Sequence, residues 1–151
     1  MGLLNYTTKI DADKTISEIQ KILSKVGAMK IMTDYTDGVV SALSFALKVN
    51  EQIIGFKLPC DWRPVYKILT KDKDFERYWD KDKKAHLESE WRLQAVRTSW
   101  RIVKDWVEAQ CALIETQMVK TEEVFLPYMV VKSGQTLFQE MSDTNFRLEK
   151  K

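Results

Sequence analysis

The chain has little of what metal sites and nucleotide enzymes are usually built from. It holds one histidine, His86, and two cysteines, Cys60 and Cys111, too far apart for a C-x-x-C arrangement. A zinc site and a disulfide framework are therefore not expected, and both cysteines read as reduced thiols that pack as small apolar groups. Only five glycines occur, at 2, 27, 38, 55 and 134, and no pair of them makes a phosphate-cradling loop. No apolar run approaches the roughly 18 to 20 residues that a membrane span needs, and residues 1–10 carry no basic-then-apolar signal pattern. The expectation is a cytoplasmic protein, in a bacterial cytosol, with no membrane partner. Charge of one sign is missing as well: 24 Lys and Arg against 22 Asp and Glu leave a net +2.

What is present suits one folded domain. With 151 residues, 44% hydrophobic and 30% charged, the chain is long enough to bury a core. Residues 3–10 alternate Leu4, Tyr6, Thr8 and Ile10 against polar neighbours, which predicts a strand. A helix follows, with Asp11 or Asp13 at its start, a stripe of Ile16, Ile19, Ile22, Leu23 and Val26, and Gly27 as a left-handed stop. The period then changes to two through Met29, Ile31, Thr33 and Tyr35. Asp37-Gly38 and Asn50-Glu51 mark two tight turns, so residues 28–58 predict a three-stranded antiparallel meander.

One face of that meander carries Leu43, Phe45, Leu47, Ile54 and Phe56. The other is small, with Ala42, Ser44, Ala46 and Gly55, and leaves room for a helix to approach. A short helix is expected from about Asp61 to Thr70, then a charged connector over 71–84, then a long helix from about Ala85 to Lys120. Its wide apolar arc includes Trp91, Trp100 and Trp106. Such a helix is covered on two sides or joins a second copy, so a homo-oligomer through it is one expectation. Arg97, Arg101, Lys104, Asp105 and Glu108 form its polar arc, with Arg101–Asp105 and Lys104–Glu108 at ion-pair spacing. Short helical pieces follow at Thr121–Leu126 and Leu137–Met141. The fold class read from this is α+β over 1–146: a sheet part at 3–58 with the N-terminal strand and helix, and a helical part at 61–141 whose long Trp-rich helix packs on the small face. Residues 147–151 are expected to form a mobile tail.

No catalytic constellation stands out. His86 lies four residues before Glu90 in a charged helix opening and reads as a solvated surface group. The acidic pairs Asp11/Asp13, Asp80/Asp82 and Glu122/Glu123 sit at helix starts or in balanced charge, where capping and solubility explain them. An enzyme would need a cleft that gathers His86, Cys60 and carboxylates, and the reading is non-enzymatic, without cofactor or metal.

Nucleic acid is weighed next. A base-stacking sheet should carry aromatics on its open face, and here that face is Lys30, Met32, Asp34, Ala42, Ser44, Ala46, Ile53, Gly55 and Lys57. A double-stranded RNA-binding domain shares the order helix, three strands, helix, but Asp61–Leu69 lacks its basic opening. What remains is a patch. Arg92, Arg97, Arg101, Lys104, Arg63 and Lys67 would meet phosphates, and Trp62 and Trp79 would stack on bases.

Three segments, "IIGFKLPCDWRPVYKIL" at 53–69, "SWRIVKDWVEAQCALIETQMV" at 99–119 and "VFLPYMVVKSGQTLFQEM" at 124–141, together with "NYTTKI" near the start, carry a likeness in overall pattern. With them the chain resembles small accessory proteins encoded by tailed phages and prophages of low-GC bacteria. That resemblance implies a phage setting and transfers no residue roles. The leading expectation is binding of single-stranded or structured nucleic acid during replication or recombination, and the alternative is inhibition of a bacterial defence system or host factor through protein–protein contact. The second would announce itself by uncovered tryptophans beside basic residues already held in ion pairs.

Overall fold

A computed structural model describes residues 2–148. Its elements run α1 (Ala12–Lys25), β1 (Lys30–Thr36), β2 (Val39–Val49), β3 (Gln52–Pro59), α2 (Arg63–Leu69), α3 (Lys81–Glu115), α4 (Thr121–Phe125) and α5 (Leu137–Asp143). The architecture is α+β with one antiparallel sheet ordered β1-β2-β3. The chain divides into two compact units. The first comprises residues up to Ile19 together with Cys60–Val107, and the second comprises Gln20–Pro59 and the residues from Glu108 onward. Helices α1 and α3 each contribute residues to both.

The hairpins of the second unit follow from local chemistry. Asp37 and Gly38 both take positive φ, 53° and 79°, and so do Asn50 and Glu51, at 51° and 69°. Two consecutive left-handed residues make the turn whose twist matches paired strands. Phe45 sits opposite Ile31 on one side and Phe56 on the other, and Leu43 opposite Thr33 and Leu58. Leu43, Phe45, Phe56 and Leu58 are buried, and Phe125 of α4 lies edge-on to Phe45 with ring centroids 5.2 Å apart.

The small-residue face is uncovered over part of its area. Met32 and Ile53 on that face are 62% and 65% exposed, and a side chain added at Gly55 would meet open space. The small residues serve another purpose: Lys57 reaches over β2, past Ala42 and Ser44, to put its Nζ 3.5 Å from Asp34 Oδ2 on β1. A large side chain on β2 would block that path.

The first unit buries Thr15, Ile16 and Ile19 of α1, Cys60, and Ala95, Val96, Thr98, Ser99, Trp100 and Val107 of α3. Asp61 receives the N–H of Arg63 at 3.0 Å and so serves the start of α2. Helix α3 starts four residues earlier and ends five residues earlier than its apolar pattern suggests. The connector before it is short, with one 3-10 turn at Phe75–Arg77.

The N-terminal strand is not formed. Asn5 takes φ 63°, and Tyr6 and Thr8 close turns onto Leu3 and Asn5. Leu4 and Tyr6, the residues meant for a buried face, are 60% and 47% exposed. The physical reason is that this segment's carbonyls find donors on a helix instead of on a strand, as set out below. Of the expected tail at 147–151, residues 149–151 lie outside the described residues, while Arg147 and Leu148 are exposed and without regular structure.

Candidate binding surface

The polar arc of α3 is a seam within the first unit and not a solvated face. Gln94 Nε2 donates to the carbonyls of Tyr6 at 3.0 Å and Thr8 at 2.8 Å, while its Oε1 accepts from Arg97 Nη2 at 2.7 Å and Nε at 3.2 Å. One turn on, Thr98 Oγ1 donates to the carbonyl of Asn5, and Asn5 Nδ2 donates to Asp105 Oδ2 at 2.8 Å. Arg101 pairs with Glu18 on α1 and reaches Thr15. A helix presents positions i, i+4 and i+7 on one face. Residues 94, 98, 101 and 105 therefore form a continuous strip that holds residues 5–8 and α1 of the same unit. The expected Arg101–Asp105 pair is replaced: Arg101 turns to Glu18 and Asp105 to Asn5.

The sequence-derived phosphate contacts scatter. Arg97 is engaged by Gln94, Arg101 by Glu18 with only 14% of its side chain exposed, and Arg63 by Asp61 at 2.9 Å. The Arg63 guanidinium holds the Asp61 carboxyl below the usual carboxylate range. Lys104 is half-buried. Arg92 is exposed but faces elsewhere, since at about 100° per residue it stands about 140° from Arg97 and opposite Arg101. It lies near Tyr66 of α2, whose phenol is pushed up by burial and by Glu88 while Arg92 acts in the opposite direction. Trp62 meets Tyr66 edge-on at 5.8 Å. Trp62, Tyr66 and Arg92 are thus brought together, Lys67 is exposed on the same short helix, and Trp79 stands apart from the arginine strip in the connector, 93% exposed.

A cleft of about 590 Å³ lies beside the seam in the first unit. Tyr6, Trp91 and Leu93 supply its apolar wall, and Lys9, Glu90, Gln94 and Arg97 its polar groups. Lys73 places its ammonium over the Trp91 ring, 4.2 Å from the centroid. Sequence reasoning missed Tyr6, Lys9 and Gln94, because they meet only once the N-terminal segment is laid on α3.

Neither His86 nor Cys60 lines the cleft. His86 is on the exposed side of α3, its Nε2 3.1 Å from Glu90 Oε1, and Cys60 is buried elsewhere in the unit. Among the described residues no three His, Cys, Asp or Glu side chains converge as metal ligands, and no helix is long and apolar enough to cross a membrane. No family model, no curated protein and no solved structure matches this chain. The cleft sets aromatic and apolar area beside charges of both signs.

Burial pushes the Cys60 thiol up to about 12, with Asp61 adding to the effect, and the Cys111 thiol up to about 11. Against an ordinary value of 9.0, the thiolate fraction at pH 8 falls about 1,000-fold and about 100-fold. The folded protein should therefore resist iodoacetamide at pH 8 and take up two labels at once in denaturant, as read by intact mass. Unfolding frees both thiols to ionise, so stability should fall as pH rises from 9 towards 12. Rapid labelling of either cysteine in the native protein would refute this.

Proposed function

We propose that this chain is a non-enzymatic binding protein that takes a partner protein on its first unit, using exposed aromatic side chains rather than a field of cations. One observation carries the reading. Trp79 is 93% exposed, while Arg101 is held by Glu18 with 14% of its side chain exposed, Arg63 is paired with Asp61, and Arg97 is hydrogen-bonded to Gln94. An uncovered tryptophan has area to bury on a partner, whereas a cation already in place has little left for a phosphate. Charge supports the same choice: the first unit carries 14 Lys and Arg against 12 Asp and Glu, too even to draw a polyanion from a distance. With the resemblance to phage accessory proteins, the reading extends to a host protein as the partner, blocked by being bound.

A second reading rests on the group at Trp62, Tyr66, Arg92 and Lys67, where aromatic faces and cations lie together as single-stranded nucleic acid requires. One experiment separates the two. Tagged native protein is compared with Trp79→Ala and with Arg92→Glu/Lys67→Glu, in nuclease-treated bacterial lysate and against a labelled single-stranded oligonucleotide at about 50 and 200 mM salt. Trp79→Ala should change stability by less than about 0.5 kcal/mol, because its ring buries almost nothing. Its expected effect is loss of a stoichiometric, nuclease-resistant protein partner that the charge variant keeps. Oligonucleotide binding that weakens steeply with salt and vanishes in the charge variant would replace the first reading with the second.

A further inference from the structure

Strand β1 is paired with β2 along one edge, and among the described residues no strand pairs with its other edge. The far side of the sheet is treated differently. There Val130 donates its N–H to the Gly55 carbonyl at 2.8 Å and Met129 bridges to Phe56, so part of β3 is closed. An open edge presents a row of unpaired N–H and C=O groups, which proteins usually protect with proline, charged side chains, a bulge or a very short strand. β1 has seven residues and no proline, its register with β2 is regular from Lys30 to Asp34 and shifts only between Asp34 and Tyr35, and its two charges, Lys30 and Asp34, are of opposite sign and share the open face with Met32. Its large side chains are uncovered as well: Met29, Met32 and Tyr35 are 56%, 62% and 65% exposed.

The strand is complementary to itself. If two copies of β1 run antiparallel with Met32 opposite the Met32 of the second copy, Lys30 falls opposite Asp34 of the other copy, and Asp34 opposite Lys30. On the other face Ile31 meets Thr33. Just beyond, Met29 meets Tyr35, so two exposed large side chains cover each other. Every alternative is poorer. A slip of one residue sets the open face of one copy against the buried face of the other. Moving the centre to Thr33 places Met32 opposite Asp34 and leaves Lys30 opposite Thr36, with no ion pair. Moving it to Ile31 places Lys30 opposite Met32. Asp34 already has Lys57 at 3.5 Å, and both are 42% exposed, which leaves a lone pair and space for a second ammonium.

We infer that two copies of this chain join through β1, about a two-fold axis at Met32, into one continuous six-stranded antiparallel sheet. This isologous edge pairing uses the same patch on both copies and closes, so it ends at a dimer. The inference concerns the second unit only and is independent of the partner proposed for the first.

The test is molar mass by size-exclusion chromatography with light scattering, at about 10 and 100 µM, on the full chain. The native protein should run as a dimer. Lys30→Glu puts two carboxylates opposite each other at both ends of the junction, and Asp34→Lys puts two ammonium groups there. Each should weaken association at least about tenfold. The double variant Lys30→Glu/Asp34→Lys restores complementarity and should dimerise again, and an equimolar mixture of the two single variants should form a heterodimer. Lys30→Glu leaves the Lys57–Asp34 pair intact, so its result stands even if Asp34→Lys does not fold by circular dichroism. Met32→Cys should cross-link two copies under mild oxidation, since Cys60 and Cys111 are buried. A native monomer at about 100 µM, or a dimer that ignores Lys30→Glu, overturns the inference.

Discussion

Phe125→Ala is expected to cost about 3–5 kcal/mol and to lower the melting temperature by roughly 8–15 °C, the largest effect of any single substitution considered. Phe125 is fully buried and closes a triad with Phe45 and Phe56. Its ring is edge-on to Phe45 at 5.2 Å and tilted against Phe56 at 5.9 Å, and Phe45 and Phe56 stack at 5.6 Å. Truncation removes the ring's transfer energy, leaves a cavity that two sheet residues cannot fill, and forfeits two aromatic contacts. Helix α4 has five residues and cannot persist alone, so this ring is what holds it to the sheet. The bridge of Met129 to Phe56 and the Val130–Gly55 hydrogen bond follow four and five residues later and should loosen with it. Urea unfolding followed by circular dichroism checks the loss, and hydrogen exchange at Val130 checks the loosening. A cost below about 1 kcal/mol would mean that the triad does not hold this end of the chain. Phe125→Leu should cost about half as much, because most of the volume is kept.

The second large effect is expected at Glu18. Arg101 keeps only 14% of its side chain exposed, and its guanidinium is held by Glu18 and Thr15. Glu18→Ala leaves that guanidinium nearly buried beside a hydroxyl and no carboxylate, at a cost of about 2 kcal/mol. The figure is discounted from that of a fully buried pair because Glu18 is 36% exposed. Replacing both partners with apolar residues of similar length, Glu18→Leu/Arg101→Met, should restore most of the stability, since no orphaned charge remains. A double-mutant cycle with Glu18→Ala and Arg101→Ala measures the coupling, expected near 1–2 kcal/mol and little reduced by salt. Additive costs would show that the two groups do not stabilise each other. The same pair explains why Arg101→Glu is a poor probe of nucleic-acid binding: it would set two carboxylates together and destabilise the first unit.

Spacing alone separates the cations of the long helix. Arg92 and Arg101 are nine residues apart, about 900° along a helix, so they stand on opposite sides and could never have met one phosphate backbone together. That signal was in the numbering. The role of Gln94 was not, because a glutamine on a polar arc looks the same whether it meets water or two backbone carbonyls.

Local chemistry in the sequence by itself determined the turns, the strand alternation and the helix stripes. Asp37-Gly38 and Asn50-Glu51 carry left-handed backbones that allow little but a hairpin, Leu43, Phe45 and Leu47 share a face at a period of two, and Ile16, Ile19 and Leu23 share one at a period near 3.6. These are interactions between residues a few positions apart, so any window of the chain contains them. The tertiary structure alone decided three things. Residues 3–10 alternate like a strand yet lie as turns, because Gln94 and Thr98, about ninety residues away, satisfy their carbonyls. The polar arc of α3 became a seam because Asn5 and Glu18 reach it first. An ion pair came to lie on the small face of the sheet because the strand register carries Lys57 of β3 to Asp34 of β1, across β2. In each case a polar group had several competent partners in the sequence, and only the fold chose which came within hydrogen-bonding distance.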